Sequence, residues 1–379
     1  MSRKIYFKGA GLVTAAGSDV EKILSSIQQE NYQPSTIKIK QSIGSVTLPY
    51  FIINSPGLCA GVDRLYQIID HVIQQAREEA RLTPEQWQRI GLFVGSTSFD
   101  MFKCEIGLKQ SSCTNKDIAI HTPPFNRLTH YIQNKYSING PVYTFNTACT
   151  ASANALMYAS EFIRRGDISH ALVLGLEFYN EVTALGFSGL ALISANGMRP
   201  FDKNRDGLYL GEGCGALIIS AEPEDNGFAY VAGANLGDNH SITASNPEGG
   251  MIKTVIERAL AQANIEKSDI SVIKTHGTAS LSNDEAEAAG LYKVFGGATP
   301  PIVALKPLIG HTLGACGINE LILFYSALRK KSLITAPCNI ADKFSLRLAN
   351  TADIPDKGHY LLNYFGFGGN STVLVISNV

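Results

Sequence analysis

Four short stretches place residues able to do nucleophilic or acid–base chemistry beside glycines and small side chains. In Phe145-Asn-Thr-Ala-Cys149-Thr-Ala-Ser-Ala-Asn-Ala-Leu156, a cysteine stands between a strand-like run and a helical run of small residues. A helix N-terminus offers unpaired N–H groups and about half a positive charge, which lowers a thiol's pKa and can hold an oxyanion. Cys149 is thus placed like a nucleophile, in a context comparable in logic to a nucleophile elbow, although an isolated cysteine beside a tightly packed helix is more often structural. His276 opens Thr275-His-Gly-Thr-Ala-Ser280, with Asp284 and Glu287 at the start of the next helix, where Asp284 is able to cap it. Lys306-Pro-Leu-Ile-Gly310-His311-Thr-Leu-Gly314-Ala-Cys316-Gly317 sets a lysine and a histidine five residues apart, among glycines that permit close backbone approach. Asn363-Tyr-Phe365-Gly-Phe367-Gly-Gly369-Asn-Ser joins two apolar runs and reads as a hairpin turn compatible with an active-site loop.

The elements that must position these residues alternate along the chain. Strands are expected at 5–7, 90–94, 142–145, 171–176, 216–220, 230–232, 271–274 and 302–305, several of them continuously apolar as in strands buried on both faces. Helices are expected at 20–29, 64–81, 151–165, 254–262, 285–294 and 317–330, several with apolar residues at i, i+3 and i+4. This alternation points to a layered α/β architecture. The acidic, Pro- and Gly-containing segment Ala221–Gly227 is the best divider. Tyr6-x-x-Gly9-Ala10-x-Leu12 recurs after it as Tyr230-x-x-Gly233-Ala234-x-Leu236, and a strand, small-residue turn and long helix occur at 142–165 and again at 302–330. The chain is read as two duplicated α/β halves, 1–222 carrying Cys149 and 223–379 carrying His276, Lys306 and His311. In that repeat His311 occupies nearly the station of Cys149, so the two would face each other.

The 379 residues suffice for two or three domain-sized units or one large α/β body. Charged residues make up 17%, below the usual ~25%, which indicates a core-rich globular chain. Thirty-two basic against 33 acidic residues leave a net charge of −1, so no global field recruits nucleic acid or an anionic membrane. The seven cysteines are an odd number with no C-x-x-C pair and no histidine at zinc-ligand spacing. Reduced thiols, no metal and a cytoplasmic location are expected. The N-terminal residues lack the apolar stretch of a signal peptide, and no apolar run reaches ~18 residues, so no membrane span is expected.

In their order along the chain these segments resemble the β-ketoacyl synthases, the condensing enzymes of the thiolase superfamily. The resemblance rests on Thr147-Ala-Cys149, Arg199-Pro-Phe-Asp202-Lys-Asn-Arg205-Asp206-Gly-Leu-Tyr-Leu-Gly211-Glu212-Gly213, His276-Gly-Thr278-Ala-Ser280 with Asp284 and Glu287, Lys306-Pro-Leu-Ile-Gly310-His311 with Gly314-Ala-Cys-Gly317, and Asn363-Tyr-Phe365-Gly-Phe367-Gly-Gly369. It spans essentially the whole chain. It implies a thiolase-like fold of two duplicated halves in an αβαβα arrangement, and an elongating Cys-His-His synthase. Cys149 would take an acyl group from acyl carrier protein (ACP), with the N–H groups of Cys149 and Phe367 as oxyanion hole. Malonyl-ACP would then lose CO₂, with His276 and His311 stabilising the enolate, and the carbanion would attack the acyl-Cys.

Under the same resemblance, Lys306 supplies positive charge near His311 with Glu287 as a structural partner, and Asp284 is structural support. Thr278 and Ser280 bind the phosphopantetheine arm, while Phe365 and Phe367 contact substrate and Phe367 gates the second one. No cofactor would be bound, substrates arriving on the 4′-phosphopantetheine of ACP, and the chain would form a homodimer or a heterodimer with a related ketosynthase. Thiolases use a second cysteine as base and initiating synthases use His and Asn, so two histidines favour the elongating class.

Ser280, Tyr364, Pro307 and Cys316 depart from the commoner Thr, Ser, Ser and Ala. The segment Gly186–Ser194 lacks an ACP-contacting arginine found in some relatives, which leaves Arg64 as the candidate docking residue. The elongation implied is that of a fatty acid or polyketide chain; the alternative is a chain-length-factor-like subunit of a heterodimeric ketosynthase, with little or no activity alone, in a type II polyketide system including aryl-polyene-type pathways. Such partners usually lose the nucleophile that Cys149 retains. A hydrolase or non-condensing acyltransferase on the same fold would not need Lys306 and both histidines.

Overall fold

The computed structural model describes residues 4–42, 44–54, 63–112, 126–223 and 227–378. Cys59, Cys113 and part of the proposed divider lie outside them. Ten strands form one sheet. The first five are β1 (Ile5–Thr14), β2 (Gly91–Gly95), β3 (Val142–Phe145), β4 (His170–Glu177) and β5 (Gly213–Ser220). The second five are β6 (Phe228–Gly237), β7 (Ile270–Lys274), β8 (Ile302–Val303), β9 (Gly358–Gly366) and β10 (Asn370–Asn378). Their spatial order is β8-β7-β9-β10-β6-β1-β5-β4-β2-β3.

Read inward from each edge, both sets of five run third, second, fourth, fifth, first. In both, the third and fourth strands flank the second in parallel, and the fourth, fifth and first pair antiparallel. The sets meet where β1 pairs antiparallel with β6, at Ile5↔Tyr230 and Tyr6↔Ala229. The two copies of the Tyr-x-x-Gly-Ala motif therefore lie on the central seam.

Side-chain alternation along the strands separates three apolar layers. On β4, Ala171 and Val173 face a central cluster, whereas Leu172, Leu174 and Leu176 face an outer one. On β9, Tyr360, Leu362 and Tyr364 point into the same central cluster, and Leu361 and Phe365 face outward on the other side. Helix α1 (Arg64–Ala80) covers the outer face of the first set; α3 (Gly250–Ala263) and α4 (Leu281–Phe295) cover that of the second. Two helices fill the centre, α2 (Ala151–Arg165) and α5 (Cys316–Arg329). This is the layered αβαβα fold with duplicated halves.

Strands buried on both faces explain the continuous apolar runs; α5 is buried nearly all round, and α2 is buried through its first turns but exposes Tyr158 further along. The glycines and alanines at their starts set how closely they approach. A Cβ on Gly317 would lie 2.2 Å from the Ala153 amide nitrogen and 2.8 Å from Ser152 Oγ. Ser152 Oγ itself accepts from the Ile318 N–H at 3.1 Å. Helix α2 ends at Gly166, which adopts φ +80°; its N–H donates to the Ile163 carbonyl and the Asp167 N–H donates to the Phe162 carbonyl, closing the last turn.

Several boundaries move. Helix α4 starts four residues earlier than the pattern suggested, so Ser280 holds the cap position and Asp284 lies inside the first turns. Asp284 does not cap: it accepts the Phe201 N–H at 2.7 Å. Arg64 is not a free docking residue. Its guanidinium grips the fully buried Glu212 carboxylate and donates to the Ile53 carbonyl at 2.9 Å. A three-stranded sheet of Ser35–Lys40, Ser45–Phe51 and Leu210–Gly211, absent from the sequence reading, holds this pair beneath the site.

Two substitutions test these contacts. Gly317→Ala forces a methyl group into backbone and should destabilise the fold by at least ~1–3 kcal/mol, seen as a lower urea midpoint. Arg64→Ala leaves Glu212 buried without its cation and should cost roughly 3–5 kcal/mol in the same experiment.

Candidate active site

Cys149 follows Ala148, whose φ of +52° is unusual for a non-glycine residue and turns the chain sharply from β3 into α2. Thr150 and Ala151 close that turn through N–H bonds to the Thr147 and Ala148 carbonyls. A polar bracket fixes it from the side. Asn154 donates to Thr147 Oγ1 at 2.8 Å and to Asn370 Oδ1 at 3.2 Å, and Asn235 donates to the same Asn370 oxygen at 2.8 Å. Asn370 opens β10 directly after the Phe367–Gly369 turn, so the C-terminal hairpin is tied to the nucleophile turn. The backbone N–H groups of Phe367 and Cys149 both reach the Cys149 sulfur.

The structure brings His311 to this sulfur, with Nε2 3.2 Å from Sγ. The His276 ring lies 5.4 Å from the His311 ring, nearly perpendicular to it. Each imidazole has its other nitrogen occupied by a donor. The Leu313 N–H donates to His311 Nδ1 at 3.2 Å, and the Lys306 ammonium lies 3.3 Å from His276 Nδ1. With Nδ1 as acceptor, a neutral imidazole carries its proton on Nε2. Burial, with the positive charge of Lys306 second, holds both histidines well below the usual imidazole range. Two neutral rings thus present Nε2–H donors to the space above Cys149, the arrangement suited to an enolate or carboxylate oxygen.

The thiol departs from the expectation of a lowered pKa. Burial pushes Cys149 up to about 12, outweighing Lys306 and the two N–H donors that act in the opposite direction. The sulfur is a protonated thiol at rest, in a site already built for the thiolate.

Lys306 pairs with Glu320 at 2.8 Å and donates to the His276 carbonyl at 2.6 Å. Burial lowers its pKa, but the Glu320 charge overcomes this and raises it. Glu287 lies elsewhere: it accepts the His276 and Gly277 N–H groups at 2.8 and 2.9 Å and the Asn363 amide at 3.0 Å, fixing the histidine loop. The Asp284 carboxylate lies 3.6 Å from Arg205 Nε and, with its bond from the Phe201 N–H, ties the run around Asp202 to α4.

A cleft lined by Cys149, His276 and His311 leads to the sulfur. Thr278 and Ser280 line it with hydroxyls 2.9 Å apart, and Phe365 and Phe367 line it beside the histidines. The Phe367 ring stacks on Phe187 at 5.5 Å and 11°. Phe187, Asp238, Asn246, Glu320, Lys274 and the Asn154–Asn235–Asn370 bracket were not foreseen. Only the polar residues in otherwise apolar strands and helices, such as Lys274 and Glu320, gave a sequence signal. Among the described residues no group of His, Cys, Asp and Glu could hold a metal ion, and no helix is long and apolar enough to cross a membrane.

Residues 45–225 match the family model "Beta-ketoacyl synthase, N-terminal domain" and residues 228–339 match "Beta-ketoacyl synthase, C-terminal domain". The chain belongs to the β-ketoacyl synthase family, condensing enzymes of the acyltransferase type. It is 27% identical over 411 aligned residues to 3-oxoacyl-[acyl-carrier-protein] synthase 2 of Staphylococcus aureus (strain COL), covering 99% of this chain and 98% of the relative. The same-named protein of strain MRSA252 is 30% identical over 341 aligned residues, covering 83% and 81%. Its fold matches that of a ketosynthase in complex with its chain length factor from Xenorhabdus doucetiae, with TM-score 0.85, 23% identity and coverage of 100% and 98%. It also matches the ishigamide ketosynthase/chain length factor, with TM-score 0.86, 23% identity and full coverage of both chains.

The thiol's setting predicts its reactivity. Alkylation of Cys149 by iodoacetamide should climb with pH throughout roughly pH 7–9.5 without levelling near 8.5, the ordinary thiol value. Mass-spectrometric counting of modified Cys149 against pH measures this, and a plateau near neutrality contradicts it.

Proposed function

We propose that this protein is a β-ketoacyl-ACP synthase that joins a malonyl unit to an acyl group held on Cys149. The observation that carries the reading is His311 Nε2 at 3.2 Å from Cys149 Sγ with His276 beside it. The Cys149 sulfur attacks the acyl thioester carbonyl while its proton passes to the departing carrier sulfur, and the oxyanion is held by the N–H groups of Cys149 and Phe367. Collapse expels the carrier thiol with that proton. Malonyl-ACP then enters along the cleft, its pantetheine arm against Thr278 and Ser280. The carbon–carboxylate bond breaks, CO₂ leaves, and the electron pair forms an enolate whose oxygen takes the Nε2–H groups of His276 and His311. The carbanion attacks the acyl carbonyl, Cys149 leaves as thiolate and takes a proton from water to regain the resting thiol, and a β-ketoacyl-ACP two carbons longer is released.

The carrier supplies its own phosphopantetheine, so no further cofactor enters this scheme, and the reaction is placed in the cytoplasm. The division into residues 1–222 and 223–379 fits the chemistry, since each part brings one side of the site. Strand β3 is a sheet edge, and exposed Tyr143 and Tyr158 lie by Phe145 and Phe162 beside it. An apolar edge of this kind supports pairing with a second ketosynthase-like chain. The retained Cys149–His311 contact favours a condensing subunit over a chain-length-factor-like one.

Intact-protein mass spectrometry after incubation with acyl-ACP should show one acyl group on the wild type and none on Cys149→Ala. His276→Ala should keep acylation while malonyl-ACP decarboxylation falls by about 10²–10³, the usual effect of losing one oxyanion donor. Acyl uptake only on a co-purified related chain would instead establish the chain-length-factor-like role.

A further inference from the structure

Behind the histidines lies a second ammonium that the scheme above does not use. Lys274 ends β7 two residues before His276 and has 0% exposure. Its Nζ donates to Glu320 Oε2 at 2.7 Å and to the Asn363 carbonyl at 2.8 Å, and sits 3.6 Å over the Tyr364 ring. That ring is fixed by its hydroxyl, which donates to the Gly317 carbonyl at 3.1 Å. Glu320, itself fully buried on α5, holds Lys274 on one oxygen and Lys306 on the other.

A lysine ammonium has three protons to place. Lys306 has three acceptors within reach: the His276 carbonyl, His276 Nδ1 and Glu320 Oε1. If one carboxylate faced one ammonium in this dry interior, the ion pair would contract into a two-pronged contact and draw Lys306 from the imidazole. The second ammonium prevents this by claiming the other oxygen. It also prevents Glu320 from cancelling the positive field that, after burial, disfavours a charge on both histidines.

We propose that Lys274 is a positioning residue: by occupying the second oxygen of Glu320 it keeps the Lys306 ammonium on His276, which fixes that imidazole with its proton on Nε2. The inference rests on the condensing reading for its catalytic consequence and on geometry alone for the state of His276.

The experiment compares wild type, Lys274→Met and Lys274→Met/Glu320→Gln by malonyl-ACP decarboxylation kinetics and by NMR of ¹⁵N-histidine-labelled protein, with His276 assigned from its loss in His276→Gln. Lys274→Met should lower kcat about tenfold while KM stays within about twofold, and the His276 ring should lose its single Nε2–H form. Removing the acid as well takes away the charge that would draw Lys306 off the imidazole, and the Lys306 ammonium loses the attraction of Glu320 together with the repulsion of Lys274, so the double variant should return to within about threefold of wild type and regain the Nε2–H signature. An unchanged kcat and tautomer in Lys274→Met, or a double variant no better than the single, overturns the proposal. If Lys274→Met does not fold, the double variant decides: a wild-type-like His276 signature supports the proposal and a mixed one overturns it. A wild type that never decarboxylates malonyl-ACP refutes the condensing reading, and the tautomer comparison still decides the role of Lys274.

Discussion

The near-contact of two buried helices governs this molecule. Helices α2 and α5 approach until Gly317 lies against the Ala153 amide, a separation that no side chain at 317 allows. Cys149 sits just before α2 and His311 just before α5, so the spacing of these helices sets the distance from thiol to imidazole. Cys316 reinforces the join, its thiol lying 3.0 Å from the Cys149 carbonyl. The small-residue composition of both helix starts is therefore a requirement of the site as well as of the core.

Electrostatics follow from that burial. The Cys149 thiol, the His276 and His311 imidazoles and the Glu287 carboxylate are sealed together, and burial shifts each away from its charged form. Lys306 is the exception, because Glu320 and the His276 carbonyl stabilise its charge. The Lys306 charge then explains several features at once. It adds to the burial that keeps the histidines neutral, orders the proton on His276 and opposes the desolvation of the sulfur. Carboxylates that accept backbone N–H groups, such as Glu287 and Glu177, hold the loops around this centre.

Much of the fold was legible because its signals are local. Continuous apolar runs identify strands buried on two faces, and the helix after Cys149 carries its own start and its glycine stop at Gly166. The duplicated Tyr-x-x-Gly-Ala motif marked the two strands that meet at the seam. Other features were not local. The partner of Lys306 is Glu320 on a neighbouring helix, and Asp284 serves Phe201 across 83 residues. Arg64 looked like a surface cation, but Glu212 buries its charge 148 residues away. Lys274 could be recognised as odd at the end of an apolar strand, yet nothing in its neighbours names Glu320.

By itself the sequence determined which residue types are available, the alternation of strands and helices, and the five ordered motifs that mark the family. Periodicity, turn residues and motif spacing are properties of neighbouring positions, so they survive without coordinates. The tertiary structure alone decided which charges meet, how far the thiol is from its imidazole, and the direction of the thiol's pKa. Those depend on burial and on distances between segments far apart in the chain. A helix start argues for a lowered thiol pKa, but the desolvation that outweighs it exists only once the two halves have closed around Cys149.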